Sequence, residues 1–247
     1  MSQGLQFAGP AGPEPQGPFA LVGSGEFLEV MEAVDLALLA GRPPRAVFLP
    51  TAAALEGADR IAYWVRLGTE HYTRLGVEPV PLEVLDRTDA ERSDLAAAID
   101  GAGLIYLSGG SPAYLADTLR GSAVFSAIVA AHARGAALAG CSAGAMALAA
   151  VADDVRNRRP CPGLGLLPDL VVLPHFDRIE RWFPGMVEDR LRGLTEGRWL
   201  VGIDEETALV GGPSVWTVRG RGRVWVVESD GSRVPHSPGA ELELDRR

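Results

Sequence analysis

The sequence predicts an α/β fold in three layers, a mostly parallel sheet with helices on both faces, and a C-terminal β-hairpin. From Phe19 onward, short runs of β-branched and aliphatic residues alternate with longer stretches of helical periodicity, as is typical of βαβ units. Near the C-terminus, apolar runs flank the glycine turn Gly220-Arg221-Gly222. This second pattern favours a hairpin at about residues 213–230.

Each element follows from a local pattern. Short apolar runs bounded by turn residues predict strands at 19–23, 45–50, 77–85, 104–107, 136–139, 170–173, 199–203, 215–218 and 224–227. Periodicity near 3.6 residues predicts helices over 27–39, 58–75, 91–99, 114–119, 124–133, from about residue 143, and over 186–194. The segment 157–168 is dense in proline, glycine and arginine and is predicted to be a loop. Because no linker interrupts this order, we expect one domain over residues 19–247.

Composition limits the chemistry open to this chain. Its 23 basic residues are all arginine and face 32 acidic residues, for a net charge of −9. The absence of lysine excludes Schiff-base enzymes, phosphate loops that use a lysine, and Ser-Lys dyads. The acidic balance argues against a nucleic-acid partner. Two cysteines and four scattered histidines indicate neither a disulfide framework nor a metal site, so we expect no metal and no cofactor.

Residues 1–18 are rich in glycine, proline and glutamine and predict a disordered leader without the features of a signal peptide. No run of 18 apolar residues follows. We therefore expect a cytoplasmic protein with no membrane partner. The C-terminal hairpin is also a candidate surface for a homodimer.

The most informative segment is Gly140-Cys141-Ser142-Ala143-Gly144, which lies between a predicted strand and a helix of small residues. This context is typical of a nucleophile elbow, a strained turn that needs small residues two positions before and after the nucleophile. Glycines hold those positions around Ser142, whereas Cys141 is flanked by alanines, so the pattern favours Ser142. The Ala143 amide would then lie at a helix N-terminus beside a developing oxyanion. A glycine turn that only packs tightly, or that binds phosphate, is the alternative.

A serine nucleophile needs a general base, normally a histidine oriented by a carboxylate. His175 directly follows the strand at 170–173, so we expect it at the sheet edge where the elbow emerges. Asp204, Glu205 and Glu206 follow the strand at 199–203 in the same way. Which of these carboxylates orients His175 stays open, and each has an alternative role in capping a turn.

Four motifs together resemble a known family: Gly109-Gly110 after a strand, the elbow at 140–145, Pro174-His175-Phe176 followed by arginines, and the segment 202–209. Their order and spacing are similar to those of the cyanophycinase and aspartyl dipeptidase (dipeptidase E-like) family of serine peptidases. That family has a flavodoxin-like fold that resembles class I glutamine amidotransferases. The resemblance spans residues 19–212.

The resemblance implies a catalytic triad of Ser142, His175 and Glu205. The substrate would be a small aspartyl or isoaspartyl peptide, hydrolysed through an acyl-enzyme. The resemblance further assigns an oxyanion hole to two backbone amides and substrate binding to a second group of residues. The amides are those of Gly110 and Ala143, and the second group comprises Gly109, Ser111, Arg178 and Arg181.

Some positions depart from the family pattern. Leu173-Pro174 stands where cyanophycinases carry Asp-Gln, and Pro184 stands where a second arginine is expected after Arg181. These departures argue against cyanophycin itself as the substrate. Two other functions stay open: a glutaminase-type or reactive-thiol protein that uses Cys141, because thiolates are activated at helix N-termini, and a non-catalytic binding member of the same fold.

Overall fold

Two β-sheets form the framework of the protein, described in a computed structural model for residues 16–153 and 159–245. The strands within these residues are β1 (Phe19–Val22), β2 (Arg45–Leu49), β3 (Glu78–Pro81), β4 (Leu104–Leu107), β5 (Ala137–Cys141), β6 (Leu170–Leu173), β7 (Trp199–Ile203), β8 (Thr207–Gly211), β9 (Val215–Gly220), β10 (Val224–Val227), β11 (Arg233–His236) and β12 (Glu241–Glu243). The α-helices are α1 (Glu32–Leu39), α2 (Ala58–Arg74), α3 (Arg87–Ala90), α4 (Ser93–Ala97), α5 (Pro112–Leu119), α6 (Ala123–Ala133), α7 (Ala143–Leu148), α8 (Phe176–Trp182) and α9 (Met186–Arg192).

The larger sheet has eight strands in the order β12-β9-β8-β1-β5-β4-β2-β3. Its five strands from β1 to β3 are mutually parallel, and β8, β9 and β12 extend it in antiparallel fashion. The predicted, mostly parallel sheet is therefore confirmed. Because β5 lies between β1 and β4, the loops after those two strands flank whatever follows β5.

The central strands are apolar along their whole length because helices cover both faces. All residues of β1, β4 and β5 are buried, as expected for parallel strands between two helical layers. Successive residues point to opposite faces: Leu21 belongs to the core that includes α5 and α6, whereas Val22 belongs to the core that includes α1 and α2. This alternation produces the three predicted layers.

The smaller sheet has four strands in the order β11-β10-β7-β6. Strands β6 and β7 are parallel to each other, and β10 and β11 continue the sheet in antiparallel fashion. The expectation that His175 follows a strand of the same sheet as the elbow is therefore wrong. The residues after β6 and β7 instead reach the elbow from a second sheet.

The predicted pairing of the C-terminal hairpin is also corrected. Strands lie where the hairpin was expected, but β9 pairs with β8 and β12, while β10 pairs with β7 and β11. The turn at 220–222 thus connects the two sheets, and the actual hairpins are β8–β9 and β10–β11. The prediction missed β8, whose five residues supply the partner that β9 requires.

The start of the chain shows a further difference. Residues 1–15 of the predicted leader lie outside the described residues, as do residues 154–158, part of them in the predicted loop. The last leader residues pack against the body: Gly17 N donates to His132 O at 3.1 Å, and Pro18 O accepts from Leu138 N at 2.9 Å. In the described part of the chain, every helix is too short or too polar to cross a membrane.

Candidate active site

Ser142 lies at a sharp turn between the end of β5 and the start of α7. Its backbone has φ 50° and ψ −105°, a conformation that costs a non-glycine residue roughly 1–3 kcal/mol. The Ser142 amide donates to Val22 O at 2.8 Å, which ties the turn to the neighbouring strand β1. The strained backbone is the geometry of a nucleophile elbow.

The two glycines around Ser142 allow the close approach that this turn requires. A Cβ atom on Gly140 would lie 2.4 Å from the carbonyl carbon of Gly144. A Cβ atom on Gly144 would lie 2.1 Å from the carbonyl oxygen of Leu107 in β4. Both distances are far below any van der Waals contact, so a side chain at either position would separate α7 from the sheet.

Ser142, His175 and Glu205 form one hydrogen-bonded line. Ser142 Oγ lies 2.9 Å from His175 Nε2, and His175 Nδ1 lies 3.1 Å from Glu205 Oε1. His175 precedes α8 in the left-handed conformation, with φ 50° and ψ 40°. Its ring also faces that of Trp182, with 5.2 Å between the ring centroids. The structure thus brings together the three side chains that the sequence singled out from three different strand ends.

The three candidate carboxylates after β7 face different partners. Asp204 is buried, accepting from the Arg223 amide and from Trp225 Nε1 at 2.9 Å each, and burial raises the pKa of its carboxyl group. Glu206 pairs with Arg221 at 3.1 Å. Of the three, Glu205 is therefore the carboxylate that contacts His175.

Glu205 is itself held by its neighbours. Its backbone amide donates to Asp177 Oδ1 at 2.9 Å, and its Oε2 accepts from Arg178 Nε at 3.4 Å. Arg178 also pairs with Asp177 at 3.3 Å. The family resemblance implied that Arg178 binds substrate, but the structure places its guanidinium against Glu205 and Asp177.

Two backbone amides beside Ser142 have no protein acceptor. Within residues 16–153 and 159–245, neither the Gly110 amide nor the Ala143 amide donates a hydrogen bond. Gly110 has φ 139°, and a Cβ atom there would lie 2.3 Å from Ala52 O, so this turn requires glycine. Ala143 is the first residue of α7, where amides have no partner inside the helix. Both amides are free to stabilise an oxyanion.

Glu26 occupies a position that the sequence analysis missed. This buried carboxylate accepts from the Gly109 amide at 2.9 Å and from the Cys141 thiol at 2.7 Å. Burial, together with the charge of Glu26, raises the pKa of Cys141 well above its ordinary value. Glu26 follows β1 within the segment 23–26, and a carboxylate just past a strand beside the elbow was the available signal.

Two cavities meet at the Ser142-His175 pair. One, of about 260 Å³, lies between the elbow and α8, and its lining includes Gly110, Met146 and Trp182. The other, of about 390 Å³, lies toward α2 and is lined by more polar groups. Arg60 and Glu26 belong to that second lining. We refer to them as the α8 cavity and the α2 cavity.

Of the remaining predicted site residues, Gly109 lines the α2 cavity, whereas Ser111, Arg178 and Arg181 line neither cavity. The Gly109 amide is occupied by Glu26, and Ser111 precedes α5 with its amide donating to Ala52 O at 2.7 Å. Arg181 is exposed, and among the described residues it has no ion pair and lines neither cavity. No cluster of three or more metal-ligating side chains occurs in the described part of the chain.

Comparison with known proteins gives consistent matches. The family model for Peptidase family S51 matches residues 19–212. Two curated relatives, the cyanophycinases of Trichormus variabilis and of a Nostoc species, are 30% identical over 170 residues, which cover 64% of this chain and 56% of each relative. The chain therefore spans a little over half the length of these relatives.

Solved structures match over most of the chain. A peptidase from an acI-B1 Actinobacterium is 35% identical with a TM-score of 0.85, covering 92% of this chain and 97% of that one. A putative peptidase E from Listeria monocytogenes EGD-e is 18% identical with a TM-score of 0.63, covering 83% and 99% respectively, and shares the fold.

Proposed function

The chain belongs to peptidase family S51, and we propose that it is a serine peptidase that hydrolyses amide bonds of short peptides. The observation that carries this proposal is the line from Ser142 Oγ through His175 to Glu205, with distances of 2.9 and 3.1 Å. A hydroxyl, an imidazole and a carboxylate in this order are the groups needed to activate a serine.

In the proposed reaction, Ser142 Oγ attacks the carbonyl carbon of the amide, and its proton passes to His175 Nε2. Glu205 stabilises the imidazolium that forms and keeps Nδ1 as a donor. The amides of Gly110 and Ala143 donate to the oxyanion, a contribution of roughly 3–4 kcal/mol per donor in enzymes of this type.

The tetrahedral intermediate then collapses. His175 returns the proton to the leaving amine as the C–N bond breaks, leaving an ester between the substrate acyl group and Ser142. Water attacks this ester, with His175 accepting a proton from the water. His175 then gives this proton to Ser142 Oγ as the ester bond breaks, which releases the carboxylic acid and restores the Ser142 hydroxyl.

The small volume of the two cavities beside Ser142 supports short substrates and an exopeptidase or dipeptidase activity. Typical small-molecule sites have volumes of roughly 300–1,000 Å³. The α8 cavity, of about 260 Å³, is smaller than this range, and the α2 cavity, of about 390 Å³, lies near its lower end. We expect each cavity to accommodate about one substrate residue, so that the two cavities together hold one residue on each side of the scissile bond. Aspartyl specificity stays a prediction from family resemblance, and neither Arg178 nor Arg181 has a contact that supports it.

The alternative that uses Cys141 as a nucleophile has less support. Its side chain is fully buried, its thiol donates to Glu26, and its raised pKa disfavours the thiolate that thiol enzymes need. A non-catalytic binding protein would retain the fold but would not require the strained backbone of Ser142.

Serine-directed labelling tests the proposal. We expect a fluorophosphonate to form an adduct on Ser142, identified by mass spectrometry, and Ser142→Ala to reduce dipeptide turnover by about 10⁶-fold. Cys141→Ser, the adjacent matched control, should retain activity and labelling. Full activity of the Ser142→Ala variant would refute the proposal.

A further inference from the structure

We propose that the α8 cavity binds an apolar side chain of the substrate, next to the scissile bond, and excludes an aspartyl side chain. This inference rests on the proposed function, because it assumes that Ser142 attacks the substrate. It concerns the chemical class of residue that the site accepts. The preference that it names differs from the aspartyl preference implied by family resemblance.

The lining of the α8 cavity carries the inference. Apart from Ser142, His175 and Gly110, the cavity is lined by apolar residues from four segments of the chain. They include Pro112, Met146, Ile179, Trp182, Phe183 and Met186. Leu173 and Pro174 complete the same wall. An apolar side chain is favoured here because it removes both surfaces from water.

Among the residues that the structure describes, none offers a cationic partner to a carboxylate in this cavity. Among the described lining residues, His175 is the only ionisable one, and both of its ring nitrogens are engaged by Ser142 and Glu205. Arg178, the arginine nearest to His175 in sequence, pairs with Glu205. Burial of a carboxylate without a partner is strongly unfavourable.

Among residues 16–153 and 159–245, the other arginines near the site do not change this conclusion. Arg181 is exposed and does not line the cavity. Arg60 belongs to the α2 cavity, where it pairs with Glu56 at 3.2 Å and lies over the rings of Tyr63 and Trp64. The charged groups thus lie on the α2 side of Ser142, and the apolar groups lie on the α8 side.

Position relative to the nucleophile identifies the occupant. Because the cavity is bounded by Ser142, His175 and Gly110, whatever fills it is attached within one residue of the attacked carbonyl. A volume of about 260 Å³ is suited to one large side chain rather than to an extended peptide. The expected occupant is therefore leucine, methionine or phenylalanine at a position that flanks the scissile bond.

Two series of dipeptides, X-Ala and Ala-X, test the inference with X as leucine, methionine, phenylalanine, asparagine or aspartate. In at least one series we expect kcat/KM for the apolar residues to exceed that for aspartate by about 100-fold, the scale of discrimination in hydrophobic pockets. Equal rates, or faster cleavage of the aspartyl peptides in both series, would overturn the inference.

A pair of variants locates the preference in the cavity. Trp182 is 48% exposed at the α8 cavity, and Leu36 is 47% exposed on α1 and lines neither cavity, so both should accept arginine without loss of folding. Trp182→Arg should lower the ratio of leucyl to aspartyl kcat/KM by about 10-fold or more, because it supplies the missing cation. Leu36→Arg should leave that ratio unchanged, and an equal shift in both variants would contradict the assignment.

Labelling separates failure of this inference from failure of the proposed function. Two fluorophosphonates are compared, one with an alkyl chain and one with the same chain ending in a carboxylate. Both lose fluoride as Ser142 Oγ bonds to phosphorus. If neither labels Ser142 and no dipeptide is cleaved, the proposed function fails and this inference with it. If Ser142 is labelled equally fast by both, only the apolar preference is refuted.

Discussion

The carboxylate of Glu26 accepts a hydrogen bond from the Gly109 amide at 2.9 Å, at the turn beside Ser142. Gly109 immediately precedes Gly110, whose amide is free to face an oxyanion. Because the buried Glu26 carboxylate holds the Gly109 amide, it also restricts the orientation of the next peptide bond, which carries the Gly110 amide. We therefore predict that Glu26 acts as a positioning residue, through the hydrogen bond that it accepts from Gly109.

Replacing Glu26 should slow the reaction more than it weakens binding. Glu26→Ala leaves the Gly109 amide and the Cys141 thiol without their acceptor, and we expect kcat to fall by about 100-fold with little change in KM, as small displacements of catalytic groups can do. Glu26→Gln keeps an acceptor oxygen for Gly109 and should recover part of the rate. Steady-state kinetics measure both effects. A purely structural role would instead lower the fraction of active protein and leave kcat per active site unchanged.

Substitutions of Glu205 and of Asp204 should affect different properties, the first the catalytic rate and the second the stability of the fold. Glu205→Gln replaces the acceptor of His175 Nδ1 with an amide that favours the wrong tautomer, so kcat should fall by roughly 10⁴-fold while the thermal midpoint stays close to that of the wild type. Asp204→Asn disturbs the acceptor of two buried donors and should lower the unfolding free energy by about 1–3 kcal/mol with activity of the folded protein retained. The reverse pattern in kinetics and denaturant melts would assign the triad carboxylate to Asp204.

The packing of the elbow makes Gly144 a sensitive position. An added methyl group would meet Leu107 O at 2.1 Å, and overpacking of this kind costs about 1–3 kcal/mol or more. We expect Gly144→Ala to unfold at lower urea concentration and to lose activity. Gly193 is the matched control, since a methyl group there would meet its nearest atom at an ordinary 3.6 Å. Similar losses in the two variants would show that the close approach of α7 to β4 is not the cause.

The buried thiol of Cys141 should make stability depend on pH in the alkaline range. In the unfolded chain a thiol ionises near its ordinary pKa of 9.0, whereas burial and Glu26 keep it protonated in the folded protein. Above that pH the folded state binds more protons than the unfolded state, so the unfolding free energy falls by up to about 1.4 kcal/mol per pH unit.

Cys141→Ser isolates this effect because a serine hydroxyl donates to Glu26 without ionising. The difference in unfolding free energy, wild type minus variant, should fall between about pH 8 and about pH 10. The contribution from the buried Tyr72, whose pKa is raised by burial and then by Asp35 and Glu26, occurs in both proteins and cancels. A difference that stays constant with pH would mean that the thiol ionises equally in both states.

Much of the fold could be predicted because it depends on local patterns. The runs at 170–173 and 199–203 correspond to β6 and β7 at every residue, and the elbow at Ser142 lies between a strand and a helix as its glycines indicate. Strand β3 is shorter than predicted: its prolines, Pro79 and Pro81, lie on an edge strand, where missing amide donors are tolerated. Helix α8 was missed because it has only seven residues, too short a run for the three-residue spacing of Phe176, Ile179 and Trp182 to be recognised as a helical period.

The amino-acid sequence by itself determined which side chains can do chemistry and which strand ends carry them: Ser142, His175 and Glu205 follow β5, β6 and β7. Strand pairing is decided by contacts between distant segments, so only the tertiary structure placed β6 and β7 in a second sheet and separated β9 from β10. The same long-range contacts determine that Glu205, and neither of its neighbours, contacts His175. They also bring Arg178 to the carboxylate of Glu205, and Glu26 to the Gly109 amide. Residues adjacent in sequence, such as Asp204 and Glu205, point in different directions, and the surroundings that each direction meets are set by the whole fold.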